Sequence, residues 1–363
     1  MLAKIFLLFA DCRLPIADRR LPSFFPIFAV NKEIMRIAIN GMGRIGRLMF
    51  RRLIDDKDFE IVAVNDVMES QNLLYLLKYD SVYGTFPGTL TLNNDAIEYR
   101  GKEIQVLNCA DPLALPWKDR HIDVVLECSG RFTGKDDAEK HLRAGAGRVL
   151  LSTAGGDELP LMIYGFNQHL LTHEMKVISP GGCMTNCSTH VLYILNSIGI
   201  ESAQLHFLHS YTSRQELVDT SHKQYRRGRA AAESIIPVEI DLAQSLERLL
   251  IPLRNRIAAV STRVPVGNGA LADFTVEFKQ PVSKRDINHL FEEAAADEYK
   301  GIIDYTEEQV VSTDIRGNTH SAVIDGTLTS VVGRQAKIFA WFDNEYGYTS
   351  RMVDWLRYIR LGR

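Results

Sequence analysis

Residues 35–46 read Met35-Arg36-Ile37-Ala38-Ile39-Asn40-Gly41-Met42-Gly43-Arg44-Ile45-Gly46, a short apolar strand that runs into a glycine-rich turn. A helical pattern follows, and a second apolar strand at 60–65 ends at Asp66, twenty residues beyond Gly46. Glycines at this spacing permit a tight turn and the close approach of a pyrophosphate, which rests on the helix N-terminus. The acid after the second strand accepts hydrogen bonds from the adenosine ribose. The stretch therefore predicts a dinucleotide-binding βαβ unit whose cofactor contacts are Gly41, Gly43, Arg44, Ile45, Gly46 and Asp66.

A second informative stretch is Ser179-Pro180-Gly181-Gly182-Cys183-Met184-Thr185-Asn186-Cys187, which precedes an apolar helical run. Cys183 is expected at the start of this helix, where unpaired N–H groups and the helix dipole favour a thiolate. His206 and His209 follow on a predicted strand, and a histidine within reach would take the thiol proton. Because they are three residues apart, they point to opposite faces and only one addresses Cys183. The pattern indicates a nucleophilic thiol site.

The composition excludes several classes of protein. At 363 residues the chain is long enough for two domains. Its net charge of −3 offers no basic field for nucleic acid. The five cysteines, at 12, 109, 128, 183 and 187, form neither a disulfide framework nor paired metal-ligand spacings. We therefore expect no metal site, no nucleic-acid partner and a reducing cytoplasm.

The first 34 residues differ from the rest of the chain. The apolar run at 5–10 follows Lys4 as in a signal peptide, yet it is only six residues long and no A-x-A cleavage site follows it. No stretch here is long enough to span a bilayer, so no membrane association is expected. We predict that 1–34 is an extension, either disordered or upstream of the true start at Met35.

The remaining patterns predict an α/β protein with two domains. Apolar strands at 123–128 and 148–152 continue a parallel sheet to about residue 182. The alternation at 274–279 is typical of an antiparallel strand with one wet face. We predict a Rossmann dinucleotide-binding domain at 35–182 and an α+β catalytic domain with a mixed or antiparallel sheet at 183–343.

Several motifs, taken together and in order, resemble the glyceraldehyde-3-phosphate dehydrogenase family, including its close relative erythrose-4-phosphate dehydrogenase. The resemblance covers the chain from Met35 to the C-terminus. The motifs are NGMGRIGR at 40–47, LKYDS at 77–81, CMTNC at 183–187, HSYT at 209–212, RAAAESIIP at 229–237, RVP at 263–265 and DNEYGY at 343–348.

The resemblance implies NAD-dependent oxidation of a sugar-phosphate aldehyde through a thiohemiacetal and a thioester. It selects Cys183 as the nucleophile and His209 as the base, and leaves His206 a structural role. It also implies that Thr212 and Arg263 bind the substrate phosphate, for which the planar fork of arginine is well suited.

Further implications concern the cofactor and the assembly. The resemblance places Ser152 and Asn344 among the cofactor-binding residues, and it implies that the helix within 344–363 returns to complete the nucleotide-binding domain. Family members are usually homotetramers, so the same assembly is expected here.

The chain also departs from the family pattern. Gly182 and Met184 stand where members usually have a serine and a threonine, and Ile240 and Asp241 stand where many have a Thr-Gly pair that contacts inorganic phosphate. At about 0.5–1.5 kcal/mol per neutral hydrogen bond, losing three hydroxyls weakens phosphate binding by roughly one to three orders of magnitude. Arg214 stands where the family commonly has an acid, and it restores some positive charge.

Three functions are compatible with these residues. The favoured one is glyceraldehyde-3-phosphate dehydrogenase chemistry, in which phosphate takes the acyl group. The alternative is oxidation of erythrose 4-phosphate with release of a free acid by water; the missing hydroxyls and the stretches 234–238 and 301–307 favour it, whereas Asp66 stands where that enzyme often has Glu. The third is a nucleotide-binding thiol sensor without catalysis, which the intact Cys183–His209 pair disfavours.

The cofactor preference rests on two positions. Asp66 repels a 2′-phosphate and so favours NAD. Thr220 and Ser221 stand where strictly NAD-dependent members tend to carry a Leu-Pro pair, which predicts weaker use of NADP as well.

Overall fold

The first half of the chain folds into an eight-stranded sheet, in a computed structural model that describes residues 34–362. The predicted extension at 1–34, with its Cys12, lies outside the described residues except for Ile34. The strands of this sheet are β1 Met35–Asn40, β2 Phe59–Asn65, β3 Thr91–Asn93, β4 Ala96–Tyr99, β5 Lys102–Leu107, β6 Val124–Glu127, β7 Arg148–Leu151 and β8 Val177–Ile178. The helices between them are α1 Arg44–Leu53, α2 Ser70–Lys78 and α3 Lys135–Arg143.

The order of the strands, β3-β4-β5-β2-β1-β6-β7-β8, places β1 near the centre of the sheet. β1 is parallel to both β2 and β6, and the parallel arrangement extends through β5, β7 and β8. Antiparallel pairing occurs only at one edge of this sheet, where β4 pairs with β3 and with β5. Because the chain leaves β1 in one direction for β2 and later returns on its other side for β6, a crevice forms at the carboxyl end of β1.

The second half forms a mixed sheet, which confirms the predicted α+β character. Its strands are β9 Ile200–Ser210, β10 Ile236–Val238, β11 Ile257–Val264, β12 Ala270–Phe278, β13 Ile303–Thr306, β14 Ala322–Asp325, β15 Ser330–Val332 and β16 Gln335–Phe342. The order is β10-β11-β9-β12-β16-β14-β13, with β15 paired to β16. β12 is antiparallel to both neighbours, and Phe274, Val276 and Phe278 are fully buried, as their alternation predicts.

The helices of the second half are α4 Cys183–Asn196, α5 Leu242–Leu249, α6 Lys284–Ala296 and α7 Tyr346–Arg360. α6 begins at an N-cap, since the Ser283 hydroxyl accepts from the Asp286 N–H at 3.1 Å. α7 returns to the first sheet, where Met352, Trp355 and Leu356 join a buried core that contains Ile37 and Ile39.

The two largest apolar cores belong one to each sheet. They are compatible with the predicted limits of 35–182 completed by 344–363 and of 183–343, which stay predictions. Within residues 34–362, no helix combines the length and apolarity that crossing a membrane requires.

Candidate active site

The turn after β1 keeps its shape because its glycines lack side chains. Gly41 has a φ of +90°, and a Cβ there would overlap the backbone of Ser129. A Cβ on Gly46 would collide with the carbonyl oxygen of Gly41. Gly43 differs, because the space beside it is open and it precedes α1 without any side-chain cap. The N–H groups of the first turn of α1 are therefore open to an anionic ligand.

Arg44 and Ile45, in the same turn, contact other parts of the protein. The Arg44 guanidinium makes a bidentate pair with Glu345 at 2.8 and 2.6 Å and binds Asp80 at 2.6 Å, and these acids keep its pKa above the ordinary value against the desolvation that opposes them. Ile45 packs against the first apolar core. The turn is thus tied to the segment that begins α7.

Asp66 lies at the carboxyl end of β2, where it was expected. Its Oδ2 accepts from the N–H of Met42 at 2.5 Å, and its Oδ1 accepts from the N–H of Met68 at 3.0 Å. The carboxylate therefore lies against the glycine turn, where it could receive a ribose.

Ser152 and Asn344 follow the ends of two strands, β7 and β16. Ser152 follows β7 directly, and its backbone N–H donates to Glu127 at 2.9 Å. The Asn344 Oδ1 accepts from the Ser210 hydroxyl at 3.1 Å and from the Gly269 N–H at 2.9 Å. This fixes the amide orientation and leaves the Nδ2 group to donate elsewhere.

The predicted thiol and imidazole meet. Cys183 is the first residue of α4, and its Sγ lies 3.7 Å from Nε2 of His209 on β9. The Nδ1 of His209 lies 2.8 Å from the backbone oxygen of Ser210, so Nδ1 carries the proton and Nε2 is the acceptor that faces the thiol. The tautomer required of a general base is thereby fixed.

His206 lies on the other face of β9. Its Nε2 is 2.8 Å from the Thr262 hydroxyl of the neighbouring strand, away from Cys183. The alternation of the strand thus separates the two histidines as the sequence predicted.

Burial sets the protonation of the pair. Desolvation and, to a smaller extent, the charge of Arg263 lower the pKa of His209 to about 3, against the opposing effect of the Ser210 hydrogen bond. Desolvation also raises the pKa of Cys183 to about 11, while Arg263 and the first N–H groups of α4 oppose that rise. The resting pair is therefore a neutral thiol beside a neutral imidazole, and the proton moves when the sulfur attacks.

Arg263 and Thr212 are brought to the same end of β9. Arg263 lies opposite His209 on the adjacent strand β11 and is only 7% exposed. Its Nη1 donates to the Ser210 carbonyl at 3.4 Å, while its Nε finds no hydrogen-bond partner within residues 34–362. Thr212 follows two residues after β9, and its hydroxyl donates to Gln215 at 2.9 Å.

Sequence reasoning missed Asp343, a fully buried carboxylate beside Asn344. It accepts from the Tyr83 hydroxyl at 2.8 Å, from the Asn268 amide at 3.1 Å and from the N–H groups of Gly317, Glu345 and Tyr346. The signal was present in the DNEYGY motif, but nothing local shows that one acid joins both halves of the protein.

The four residues that depart from the family pattern differ in their burial and contacts. Gly182 precedes α4 and offers no side-chain cap, and Met184 packs against the second core. Ile240 also packs against that core, whereas Asp241 is exposed at the start of α5. Burial lowers the pKa of Arg263 to about 10, and the positive charges of Arg227 and Arg214 act in the same direction.

The crevice fits a dinucleotide, since it combines an uncapped helix start, a glycine with open space beside it and a carboxylate at the end of β2. A nucleotide-binding crevice joined to a thiol–imidazole pair defines an NAD-dependent oxidoreductase.

The comparisons with known proteins agree. A model of the glyceraldehyde 3-phosphate dehydrogenase NAD-binding domain matches residues 35–135, and one of the C-terminal domain matches residues 182–344. The chain is 39% identical over 328 residues to glyceraldehyde-3-phosphate dehydrogenase 2 of Bacillus subtilis, covering 90% of this chain and 96% of the relative. It is 39% identical to the glyceraldehyde-3-phosphate dehydrogenase of Geobacillus stearothermophilus, covering 90% of this chain and 98% of the relative. It is 40% identical to the glyceraldehyde-3-phosphate dehydrogenase of Streptomyces coelicolor, covering 88% and 97%. The chain belongs to the glyceraldehyde-3-phosphate dehydrogenase family.

Proposed function

We propose that this protein is an NAD-dependent glyceraldehyde-3-phosphate dehydrogenase that works through a thioester on Cys183. The observation that carries the proposal is the 3.7 Å approach of Cys183 Sγ to the unprotonated Nε2 of His209 at the start of α4. A thiol, a base and a helix N-terminus at one point are the parts that covalent aldehyde oxidation needs.

The first step is addition of sulfur to the aldehyde. Nε2 of His209 takes the thiol proton as Sγ bonds to the carbonyl carbon, and the N–H groups at the start of α4 stabilise the developing oxyanion. Proton return to oxygen gives the thiohemiacetal.

The second step is oxidation to the thioester. His209 removes the hydroxyl proton of the thiohemiacetal as the carbon loses its hydride, so one proton remains on the imidazole. Bound NAD supplies the hydride acceptor. Asn344, whose Oδ1 is held by Ser210 and Gly269, would help to hold NAD through its Nδ2 group.

Substitution of the thiol and the base tests the proposal. Cys183→Ser should lose nearly all oxidation while still binding NAD, because the thioester requires sulfur. Cys187→Ser is the matched control, since Cys187 is fully buried one turn further along α4 and should keep most of the activity. Comparable turnover by the Cys183 variant in an NADH assay would refute the assignment.

The histidines give a second matched pair. His209→Asn should reduce turnover by about 10²–10⁴-fold, since it removes the general base. His206→Asn should be much milder, because His206 contacts Thr262 instead of the thiol. The reverse ranking would show that the other histidine is the base.

Oxidation of erythrose 4-phosphate, with water as the acyl acceptor, is the alternative. The lack of a side-chain hydroxyl at Gly182 and Met184, on either side of Cys183, supports it. Product analysis with each aldose phosphate in turn decides between acyl phosphate and free acid. A third function, thiol sensing without catalysis, is excluded by NADH production from either aldehyde.

The remaining proposals concern assembly and location. A homotetramer is supported by four largely exposed apolar side chains on or beside the segment after β9, namely Leu217, Val218, Tyr225 and Ile235. A cytoplasmic location is supported by the free state of Cys109, Cys128, Cys183 and Cys187. The mass of the purified protein, measured by analytical sedimentation, tests the proposed homotetramer.

A further inference from the structure

A chain of buried polar side chains follows the carboxyl ends of the strands in the first sheet. Glu127 ends β6, Asn40 ends β1 and Asn65 ends β2, and none of the three residues is more than 3% exposed. Asn40 directly precedes Gly41, and Asn65 directly precedes Asp66. Because a dinucleotide binds at the carboxyl ends of such strands, this chain lies at the base of the cofactor crevice.

The backbone fixes the direction of the two amides. Oδ1 of Asn65 accepts from the N–H of Cys109 at 2.9 Å, and Nδ2 of Asn65 donates to the Cys109 carbonyl at 2.9 Å. The same Nδ2 donates to Oδ1 of Asn40 at 2.7 Å, so Nδ2 of Asn40 faces Glu127 and donates to it. Since a backbone N–H and a carbonyl cannot exchange places, neither amide can turn over without losing hydrogen bonds.

Trp117 fixes a second donor to Glu127. Its Nε1 can only donate, and it lies 3.0 Å from Nδ1 of His141 on α3. Nδ1 therefore carries no proton, and Nε2 of His141 carries the one that it donates to Oε2 of Glu127 at 2.9 Å. Trp117 and His141 are both fully buried.

The third donor joins Glu127 to the glycine turn. Oε1 of Glu127 accepts from the backbone N–H of Ser129 at 2.7 Å and also from the Ser129 hydroxyl. The Ser129 backbone packs so closely on Gly41 that a Cβ there would lie 2.3 Å from the Ser129 N and Cα atoms. The position of Ser129 therefore sets the shape of the turn that leads into α1.

Only a carboxylate satisfies these donors together. Those from Asn40, Ser129 and His141 cannot be reversed, and they reach both carboxylate oxygens. An ionised carboxylate offers acceptors only, whereas the amide of a glutamine would turn its nitrogen toward at least one fixed donor.

We propose that Glu127 is a positioning residue for NAD. It holds the ends of β1 and β6 and the Ser129 backbone in the arrangement that the pyrophosphate of the cofactor requires at the glycine turn. Its side chain is only 1% exposed, so it acts through Ser129 and Gly41. The proposal concerns the binding of NAD, and its test does not depend on the catalytic steps proposed above.

Glu127→Gln tests the proposal, because it keeps the shape of the side chain and replaces one acceptor by a donor. With its nitrogen toward the Ser129 N–H, the glutamine should displace the Ser129 backbone relative to Gly41. The dissociation constant of NAD, measured by titration calorimetry on the purified protein, should rise by about tenfold or more, as expected when two buried donors oppose each other.

Trp117→Phe is the matched control. It removes one hydrogen bond from the same buried chain, yet Nε2 of His141 can still carry its proton and donate to Glu127. It should lower the free energy of unfolding, as Glu127→Gln does, and leave the affinity for NAD unchanged. Equal weakening of NAD binding by the two variants would show that Glu127 only stabilises the domain, and would overturn the proposal.

Glu127→Asp keeps the proposal testable if Glu127→Gln does not fold. It retains a carboxylate but withdraws the oxygens by one methylene, so NAD binding should weaken less than in Glu127→Gln and more than in Trp117→Phe. Hydrogen exchange of the unliganded protein should be faster at 128–131 in both Glu127 variants and unchanged there in Trp117→Phe. Unaltered NAD affinity in either Glu127 variant would overturn the proposal.

Discussion

The glycine turn at 41–46 and the buried Arg263 side chain on β11 are proposed to bind phosphate groups by opposite means. In the turn, the donors are backbone N–H groups at the start of α1, and the glycines only make room for the ligand. At Arg263, the donor is a guanidinium side chain that β11 holds in a buried position. One site is thus made by the absence of side chains and the other by their charge.

The difference decides what a single residue contributes. A site made of backbone N–H groups is lost when an added side chain causes a steric overlap. The effect of a substitution therefore depends on the space around each glycine. A site made of charged side chains is lost when the charge is removed. The effect of a substitution therefore depends on how deeply the charge is buried. Substitutions in the two regions should therefore change different observables.

Of the substitutions in these two regions, Arg263→Gln should have the largest effect, because it removes the buried guanidinium of the side-chain site. Removing a charge-assisted contact should lower kcat/KM for the aldehyde phosphate by roughly 10- to 100-fold. Because the Arg263 charge lowers the pKa of Cys183, its loss should raise that pKa, and the pH profile of iodoacetamide alkylation should move to higher pH.

Arg263→Lys is the control for that experiment. It keeps the positive charge but not the planar fork, so it should retain the alkylation profile while losing substrate affinity. An unshifted profile in Arg263→Gln would show that the guanidinium does not act on the thiol.

Two glycines three residues apart break the backbone site in distinguishable ways. Gly46→Ala should destabilise the fold by about 1–3 kcal/mol, because its Cβ would collide with the carbonyl oxygen of Gly41. Gly43→Ala meets no protein atom and should unfold normally, yet its Cβ enters the space of the pyrophosphate and should weaken NAD binding. Denaturant unfolding and NAD titration of both variants check this, and equal stability losses would contradict it.

The smallest effect concerns Asp66, a side chain that works within the backbone site. Asp66→Asn keeps the hydrogen bonds that an oxygen accepts and removes the charge that repels a 2′-phosphate, so the preference for NAD over NADP should narrow severalfold. Steady-state kinetics with both cofactors measures it. A lower kcat/KM for NAD than for NADP in the unmodified enzyme would overturn the proposed preference.

The sequence predicted the features that local physics controls. Glycine spacing placed the turn, and the step from Gly182 to an apolar run placed Cys183 at the start of α4. Strand alternation separated His206 from His209. Each of these inferences needed only a few neighbouring residues.

The features that the sequence did not predict depend on contacts between distant residues. Asp343 gathers donors from Tyr83, Asn268 and Gly317, and no local pattern indicates that these segments meet. Arg214 could be noted as a departure, but its electrostatic interaction with Arg263 emerges only when β9 and β11 pair. Long-range register, not residue type, was the missing information.

The packing of α7 on the first sheet has a consequence for how the protein is made. Ile37 and Ile39 share one core with Met352, Trp355 and Leu356, residues translated much later. Until α7 emerges from the ribosome, one face of the central strands lacks part of its apolar cover. Folding of the cofactor crevice therefore waits for the far end of α7, and a nascent chain stalled before residue 346 should engage chaperones instead of NAD.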